Sequence, residues 1–157
     1  MESDVRRKTR ILVPLDGSKL AEDALGEALI LGKALKAEIT LLHVVQIPED
    51  VIGQGATPIS IDEQWQAQRG RALQYLTDIR NRPEWTGVAT QVAVESGNPA
   101  EVILDYCRRH DIDRIVMSTR GRGRTRLKLW ALGSVAYKVV HAADRTIVLI
   151  RPMSDNE

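Results

Sequence analysis

The stretch Ile11-Leu12-Val13-Pro14-Leu15-Asp16-Gly17-Ser18 decides how the rest of the chain is read. A short continuous apolar run is what a strand covered on both faces requires. The run stops at Asp16-Gly17-Ser18, and Ser18 is a suitable N-cap for a helix. That helix carries Ala21, Ala24, Leu25, Ala28, Gly32 and Leu35 on its apolar face, with Glu22 and Asp23 early, where the helix dipole favours carboxylates. A strand running straight into a helix is the first half of a crossover unit, and the remaining sequence repeats the alternation.

Working outward, Glu38 to Val45 reads as a second strand. Residues Ile47 to Ser60 hold two prolines and two glycines without a period, so a long loop is expected, of a length that is often functional in a compact domain. Asp62 and Glu63 then open a helix that buries Trp65, Ala72, Leu76 and Ile79. Val88 to Val94 alternates as a third strand. Asn98-Pro99-Ala100-Glu101 joins an N-cap, a proline at the first helical position and a glutamate three residues past the cap. The helix it opens turns Val102, Ile103, Tyr106 and Cys107 inward and ends at Arg108-Arg109-His110. Arg114 to Ser118 is a fourth strand, Leu132, Val135, Ala136, Val139 and Val140 return to helical spacing, and Thr146 to Ile150 is a fifth strand.

Five strands separated by four helices predict an α/β single-domain open sheet of five parallel strands with helices on both faces. One domain over residues 1–157 suits the length, with the core about 9–152. Ligands of such sheets lie beyond the carboxyl ends of the strands, where strand order reverses. The loops after the first and fourth strands are therefore the places to look for chemistry.

Composition narrows the function classes. Twenty-two Lys and Arg against 21 Asp and Glu give a net charge of +1, so no whole-molecule field draws the chain to nucleic acid or an anionic membrane. The single Cys107 makes neither an internal disulfide nor a metal cage, and it is expected to fill core. No run approaches the roughly 18 apolar residues of a membrane span, and the basic start has no apolar stretch of a signal peptide, so a cytoplasmic protein is expected. His43, His110 and His141 fall at a strand end and near helix C-termini and read as structural.

In the first loop, Pro14 brings no N–H to the ladder and so ends pairing on one side. An uncompensated carboxylate at a buried strand end is costly, so Asp16 is expected to be solvated, bonded to backbone donors, or used by a hydroxyl or a metal. The loop after the fourth strand, Ser118-Thr119-Arg120-Gly121-Arg122-Gly123-Arg124-Thr125-Arg126, is rich in glycine, and Gly133-Ser134 follows at the start of the next helix. Backbone N–H groups in such turns and at helix N-termini suit an anion. Arg120, Arg122, Arg124, Arg126 and Lys128 alternate along this loop, but without interleaved aromatic side chains they do not make a base-stacking surface. Micromolar nucleotide affinity is roughly −8 kcal/mol, and one helix terminus supplies only about 0.3–1 kcal/mol, so several of these features must act together.

These residues resemble the universal stress protein family. The likeness spans about Thr9 to Pro152 and rests on Ile11 to Ser18, Leu41-Leu42-His43-Val44, Ile115-Val116-Met117-Ser118, Gly133-Ser134-Val135-Ala136 and Thr146 to Pro152. The family's nucleotide-binding branch carries a glycine, two residues, a second glycine, nine residues, then a glycine followed by Ser or Thr. Gly123 and Gly133-Ser134 satisfy the second part. Arg120 stands at the leading position when counted back from Gly123. Aligning by the strand instead puts Ser118 there, pairs it with Gly121 and leaves two extra residues before Gly133.

The resemblance implies a Rossmann-like fold of the adenine nucleotide alpha hydrolase type and a stress-response protein that binds ATP, AMP or ADP, with Mg2+ as a companion. Pro14, Leu15 and Asp16 would line the adenine and ribose end, with the backbone at Val44 and Met117 near the base. Ser118, Gly121, Gly123, Gly133, Ser134 and Val135 would surround the phosphates. It also implies a homodimer through the last strand, Thr146 to Arg151, and an apolar edge strand has its own physical motive to pair. With no base apparent to activate water, at most a slow ATPase is expected, and a nucleotide-dependent binding or signalling module ahead of an enzyme. The alternative within the family is a nucleotide-free dimeric interaction protein. An ATP-consuming transferase or ligase of related topology would need a Ser-Gly-Gly type loop after the first strand, which Val13 to Ser18 lacks.

Overall fold

The computed structural model of the chain describes residues 6–46, 57–121 and 132–152. In chain order these residues form β1 (Arg10–Pro14), α1 (Lys19–Glu22), α2 (Ala24–Leu35), β2 (Glu38–Val45), α3 (Pro58–Arg80), a 3-10 turn (Pro83–Trp85), β3 (Thr90–Ser96), α4 (Pro99–Arg109), β4 (Arg114–Ser118), α5 (Ser134–Ala142) and β5 (Thr146–Ile150). The strands form one parallel sheet in the order β3-β2-β1-β4-β5, so the direction of winding reverses between β1 and β4.

Strand periodicity divides the core into two layers. Ile11, Val13, Leu15, Ile39 and Leu41 pack with α1, α2 and α3 through Ala24, Leu25, Ala28, Leu76 and Ile79. Their alternate neighbours Leu12, Leu42, Ile115 and Met117 pack on the other face with Ile103, Tyr106, Cys107 and Val139 of α4 and α5. Removing a Leu12 or Ile39 side chain from water stabilises the fold by about 1.5–3 kcal/mol each, which is why apolar residues dominate the central strands. Gly32 lets α2 lie close to β2, since a Cβ there would come within 2.6 Å of Ile39 Cδ1.

Several expectations change. The helix after Ser18 is interrupted at Asp23, whose N–H reaches back only three residues, to Leu20 O at 3.3 Å, tightening the turn between α1 and α2. Leu35 is exposed rather than inward, because α2 closes immediately after it with Lys36 in the left-handed region and Ala37 N–H bonded to Gly32 O at 2.9 Å. The helix expected from Asp62 opens at Pro58, capped by Thr57 Oγ1, which accepts from Ser60 N–H at 3.3 Å; that proline starts a helix and is not part of a loop. Trp65 is only half-buried, whereas Trp85, in the 3-10 turn, is buried. β3 begins at Thr90 rather than Val88. The rest of the expected loop, residues 47–56, lies outside the described residues.

β2, β4, β5 and the Asn98-capped helix fall where the periodicity predicts, and the fold is the expected open parallel sheet.

Candidate functional site

β1 and β4 part company early. Their register pairs Ile11 with Arg114 and Leu12 with Ile115 and goes no further, whereas β1 stays paired with β2 through Pro14 and Leu42. The cause is in the sequence. Leu15 N–H donates to Leu42 O at 2.8 Å, so by alternation the Pro14 nitrogen faces β4 and offers it no hydrogen. β4 keeps its pairing with β5 as far as Ser118 and Ile150, and Thr119 N–H adds a bond to Ile150 O at 2.9 Å. The result is a crevice at the switch point between β1 and β4.

The two loops predicted to carry chemistry meet across it. Asp16 Oδ1 accepts from Ser18 N–H at 2.9 Å and from Ser18 Oγ at 2.5 Å, and Ser18 Oγ in turn caps α1 by accepting from Ala21 N–H at 3.2 Å. Of the uses open to Asp16, bonding to a backbone donor and a hydroxyl is therefore realised, with Gly17 at φ 85° making the turn. The other oxygen faces Gly121: a side chain at 121 would overlap Asp16 Oδ2, and its Cβ would lie 3.2 Å from Asp16 Cγ. The glycine is needed for close approach.

Behind this contact, Ser118 is buried and its Oγ accepts from Arg120 N–H at 3.4 Å. Gly133 N–H donates to Thr119 O at 2.7 Å, and a Cβ at Gly133 would stand 3.3 Å from that carbonyl, so the end of β4 is held against the start of α5. The first helical bond runs from Tyr137 N–H to Gly133 O at 2.9 Å, leaving the amides of Ser134, Val135 and Ala136 without intrahelical acceptors. Ser134 is exposed and Val135 half-buried.

Leu15 and Met117 are buried in opposite layers of the core, so only their backbone is on offer at the strand ends, while Val44 is half-buried on the Met117 side. Gly123, Arg122, Arg124, Arg126 and Lys128 lie outside the described residues.

Sequence reading missed an aromatic side chain on α3. Tyr75 of α3 packs against the β1 layer, and its ring meets His43 edge-on, centroids 6.3 Å apart. Its hydroxyl is buried beside the Glu22 carboxylate. Burial first, then the nearby carboxylates of Glu22 and Asp16, push the phenol well above its ordinary pKa, so it stays protonated. Arg82 Nη2 holds Glu22 Oε1 at 2.7 Å.

Among the described residues no three His, Cys, Asp or Glu side chains gather as a metal site. Burial pushes the Cys107 thiol up to about 11, which suits the core role expected of it and leaves little thiolate near neutrality. His110 and His141 stack on Tyr106 and Tyr137. A polar cavity of about 220 Å³ lies among Arg10, Glu38, Thr40, Gln91, His110 and Ile112 at the amino ends of the strands, the end opposite the switch-point crevice. No helix among the described residues is long and apolar enough to cross a membrane.

Comparison with known proteins agrees with this architecture. The sequence model for the Universal stress protein family matches residues 8–151. A universal stress protein of Methanothermobacter thermautotrophicus is 32% identical over 148 residues, covering 90% of this chain and 94% of the relative. The solved structure of universal stress protein UspA from Lactobacillus plantarum superposes with a TM-score of 0.76 at 26% identity, over 92% of this chain and 99% of that one. The structure of an Arabidopsis thaliana family protein with AMP bound shares the fold at a TM-score of 0.65 and 21% identity, covering 94% of each chain. With a family model matched over nearly its whole length and the five-stranded switch-point sheet to go with it, this chain belongs to the universal stress protein family.

Proposed function

We propose that this chain binds an adenine nucleotide, ATP with AMP or ADP as alternatives, in the crevice between β1 and β4, and acts as a nucleotide-dependent signalling or binding module of the cytoplasmic stress response. The observation that carries the reading is the meeting of Asp16 and Gly121 across the switch point, which brings a fixed carboxylate and a glycine-rich loop to one mouth. The AMP held by the Arabidopsis family protein supports the same ligand class.

In this reading Pro14, Leu15 and Asp16 line the base and ribose end, with the backbone at Val44 and Met117 beside the base. Asp16 is the wrong partner for a phosphate, since like charges at contact repel, and the right one for sugar hydroxyls. Ser118, Gly121, Gly123, Gly133, Ser134 and Val135 surround the phosphates. Gly133 N–H is already donated to Thr119 O, so the phosphate donors at this end are the amides of Ser134 and Val135 and the Ser134 hydroxyl. With no group of three metal-binding side chains among the described residues, Mg2+ would be held chiefly by the phosphates, as this ion commonly is. Hydrolysis, if measured, should be slow.

The test is to denature freshly purified protein, identify released nucleotides by mass spectrometry, and titrate the folded protein calorimetrically with ATP and AMP in the presence of Mg2+. Carry-over or a saturable heat is expected; neither, with folded protein, sinks the reading.

The engagement of Gly133 N–H favours a second reading, in which the chain carries no nucleotide and works as a homodimer through Thr146 to Arg151. β5 ends the sheet with Ile147, Val148, Leu149 and Ile150 only half-buried, and an unpaired apolar edge is a ready template for a second copy. Sedimentation of the protein as a monomer at high concentration would reject the dimer.

A further inference from the structure

We propose that Ser18 is a positioning residue of the crevice, its hydroxyl and amide together fixing the Asp16 carboxylate in the orientation that takes a ribose hydroxyl. The inference rests on the nucleotide reading above and adds to it a residue that acts through Asp16 and touches no ligand itself.

An aspartate side chain turns about two bonds, and a ligand that needs it in one orientation must overcome that freedom on binding. Here the freedom is already removed. Ser18 N–H donates to Asp16 Oδ1 at 2.9 Å, and Ser18 Oγ lies 2.5 Å from the same oxygen. The start of α1 sets the sense of the second bond. Ala21 N–H donates to Ser18 Oγ at 3.2 Å, and an ionised carboxylate only accepts, so the hydroxyl hydrogen goes to Asp16. A helix cap needs only the bond from Ala21, and a turn closed by an aspartate needs only the Ser18 amide. Neither calls for the hydroxyl to donate to Asp16, and that bond is what the positioning role explains. With both donors on Oδ1, the carboxylate turns Oδ2 toward the far loop: a Cβ at Gly121 would overlap Oδ2, whereas Oδ1 would stand 3.7 Å from it. The anchorage extends both ways along the chain. Ala21 is buried in the β1 layer, and Leu15, just before Asp16, is tied to β2 by its N–H to Leu42 O at 2.8 Å.

The test titrates the unmodified chain, Ser18→Ala and Ser18→Thr with ATP, 2′-deoxyATP and 3′-deoxyATP, each protein first being melted without ligand. The unmodified chain should bind ATP more tightly than at least one analogue, the one lacking the hydroxyl that Asp16 takes. Ser18→Ala should bind ATP about fivefold more weakly and that analogue as before, a loss that matches the ordering of one side chain. Ser18→Thr keeps both the hydroxyl and the cap and should restore the ATP affinity. Ser18→Ala also loses the cap, so its melting temperature should fall, but a cap does not distinguish one sugar from another. Ser18→Gly, a better cap than alanine, gives the same comparison where Ser18→Ala melts too low to titrate. Equal losses for all three nucleotides, an ATP affinity unchanged without the hydroxyl, or no recovery in Ser18→Thr would each overturn the role of Ser18 while leaving the nucleotide reading standing. So would an unmodified chain that binds all three equally. Absence of ATP binding by the unmodified chain overturns both.

Discussion

The two ends of this sheet handle polar groups in opposite ways. At the amino end many of the groups answer one another, although the Nε atoms of Arg114 and Arg145 are buried there without a hydrogen bond among the described residues. Asp113 takes Arg10 N–H and Arg7 Nη2, each at 2.8 Å, Arg10 Nη1 donates to His110 O at 3.0 Å, and Gln91 Nε2 donates to Thr40 Oγ1 at 3.0 Å. At the carboxyl end the backbone is opened instead: Pro14 ends the pairing of β1 with β4, Gly121 lets its loop lie against the Asp16 carboxylate, and the first-turn amides of α5 have no intrahelical acceptors. A saturated polar network stiffens a fold, whereas an unsaturated one costs stability and is kept where a ligand can complete it.

That contrast is best broken at Gly121. Gly121→Val forces a side chain onto Asp16 and should weaken ATP binding about thirtyfold, roughly 2 kcal/mol, with folded far-ultraviolet circular dichroism retained. An affinity equal to that of the unmodified chain would remove the Asp16–Gly121 contact from the site. Gly133→Asp adds a carboxylate at the proposed phosphate end and should cost about tenfold in ATP affinity by calorimetry.

The amino end should respond only in stability. Asp113→Ala should destabilise the chain by about 1 kcal/mol in urea unfolding, with ATP affinity unchanged, since the carboxylate is partly exposed but accepts a backbone and a guanidinium hydrogen bond. Burial alone would raise the pKa of Asp113, but Arg10 N–H and the Arg7 guanidinium outweigh it and hold the carboxyl below the usual range. The stabilisation is therefore present above about pH 4, the unfolded-state value, and is lost as pH falls through the lower folded-state value. Asp113→Ala should flatten that acid limb. Thr40→Val, which removes a buried hydroxyl bonded to a solvent-facing amide, should cost the least, about 0.5 kcal/mol.

How much of this was legible in the sequence depends on the range of the interaction. β2, β4 and β5 were readable because apolar runs bounded by turn residues are local signals, and the Asn98-Pro99 start because a cap is decided within four residues. Pro58 misled for a local reason too: proline serves loops and first helical positions alike, and only the Thr57 cap distinguishes them. The importance of the β1 and β4 loops followed from a topological rule, but the contact between Asp16 and Gly121 joins residues 105 apart and needed coordinates. Tyr75 carried no signal at all. At helical spacing it looks like any ring on a core-facing helix, and its place against His43 is set by how α3 crosses the sheet.

Pro14 also has a mechanical consequence. A sheet stitched evenly would resist separation at every seam, but this one is joined between β1 and β4 only near its amino ends, leaving a three-strand panel and a two-strand panel that fork toward the carboxyl side. Strain applied from the mouth concentrates at that fork, as at the last stitch of a split hem. Widening the gap to admit a bulkier occupant therefore asks the panels to splay about their common root and spares the bonds within each.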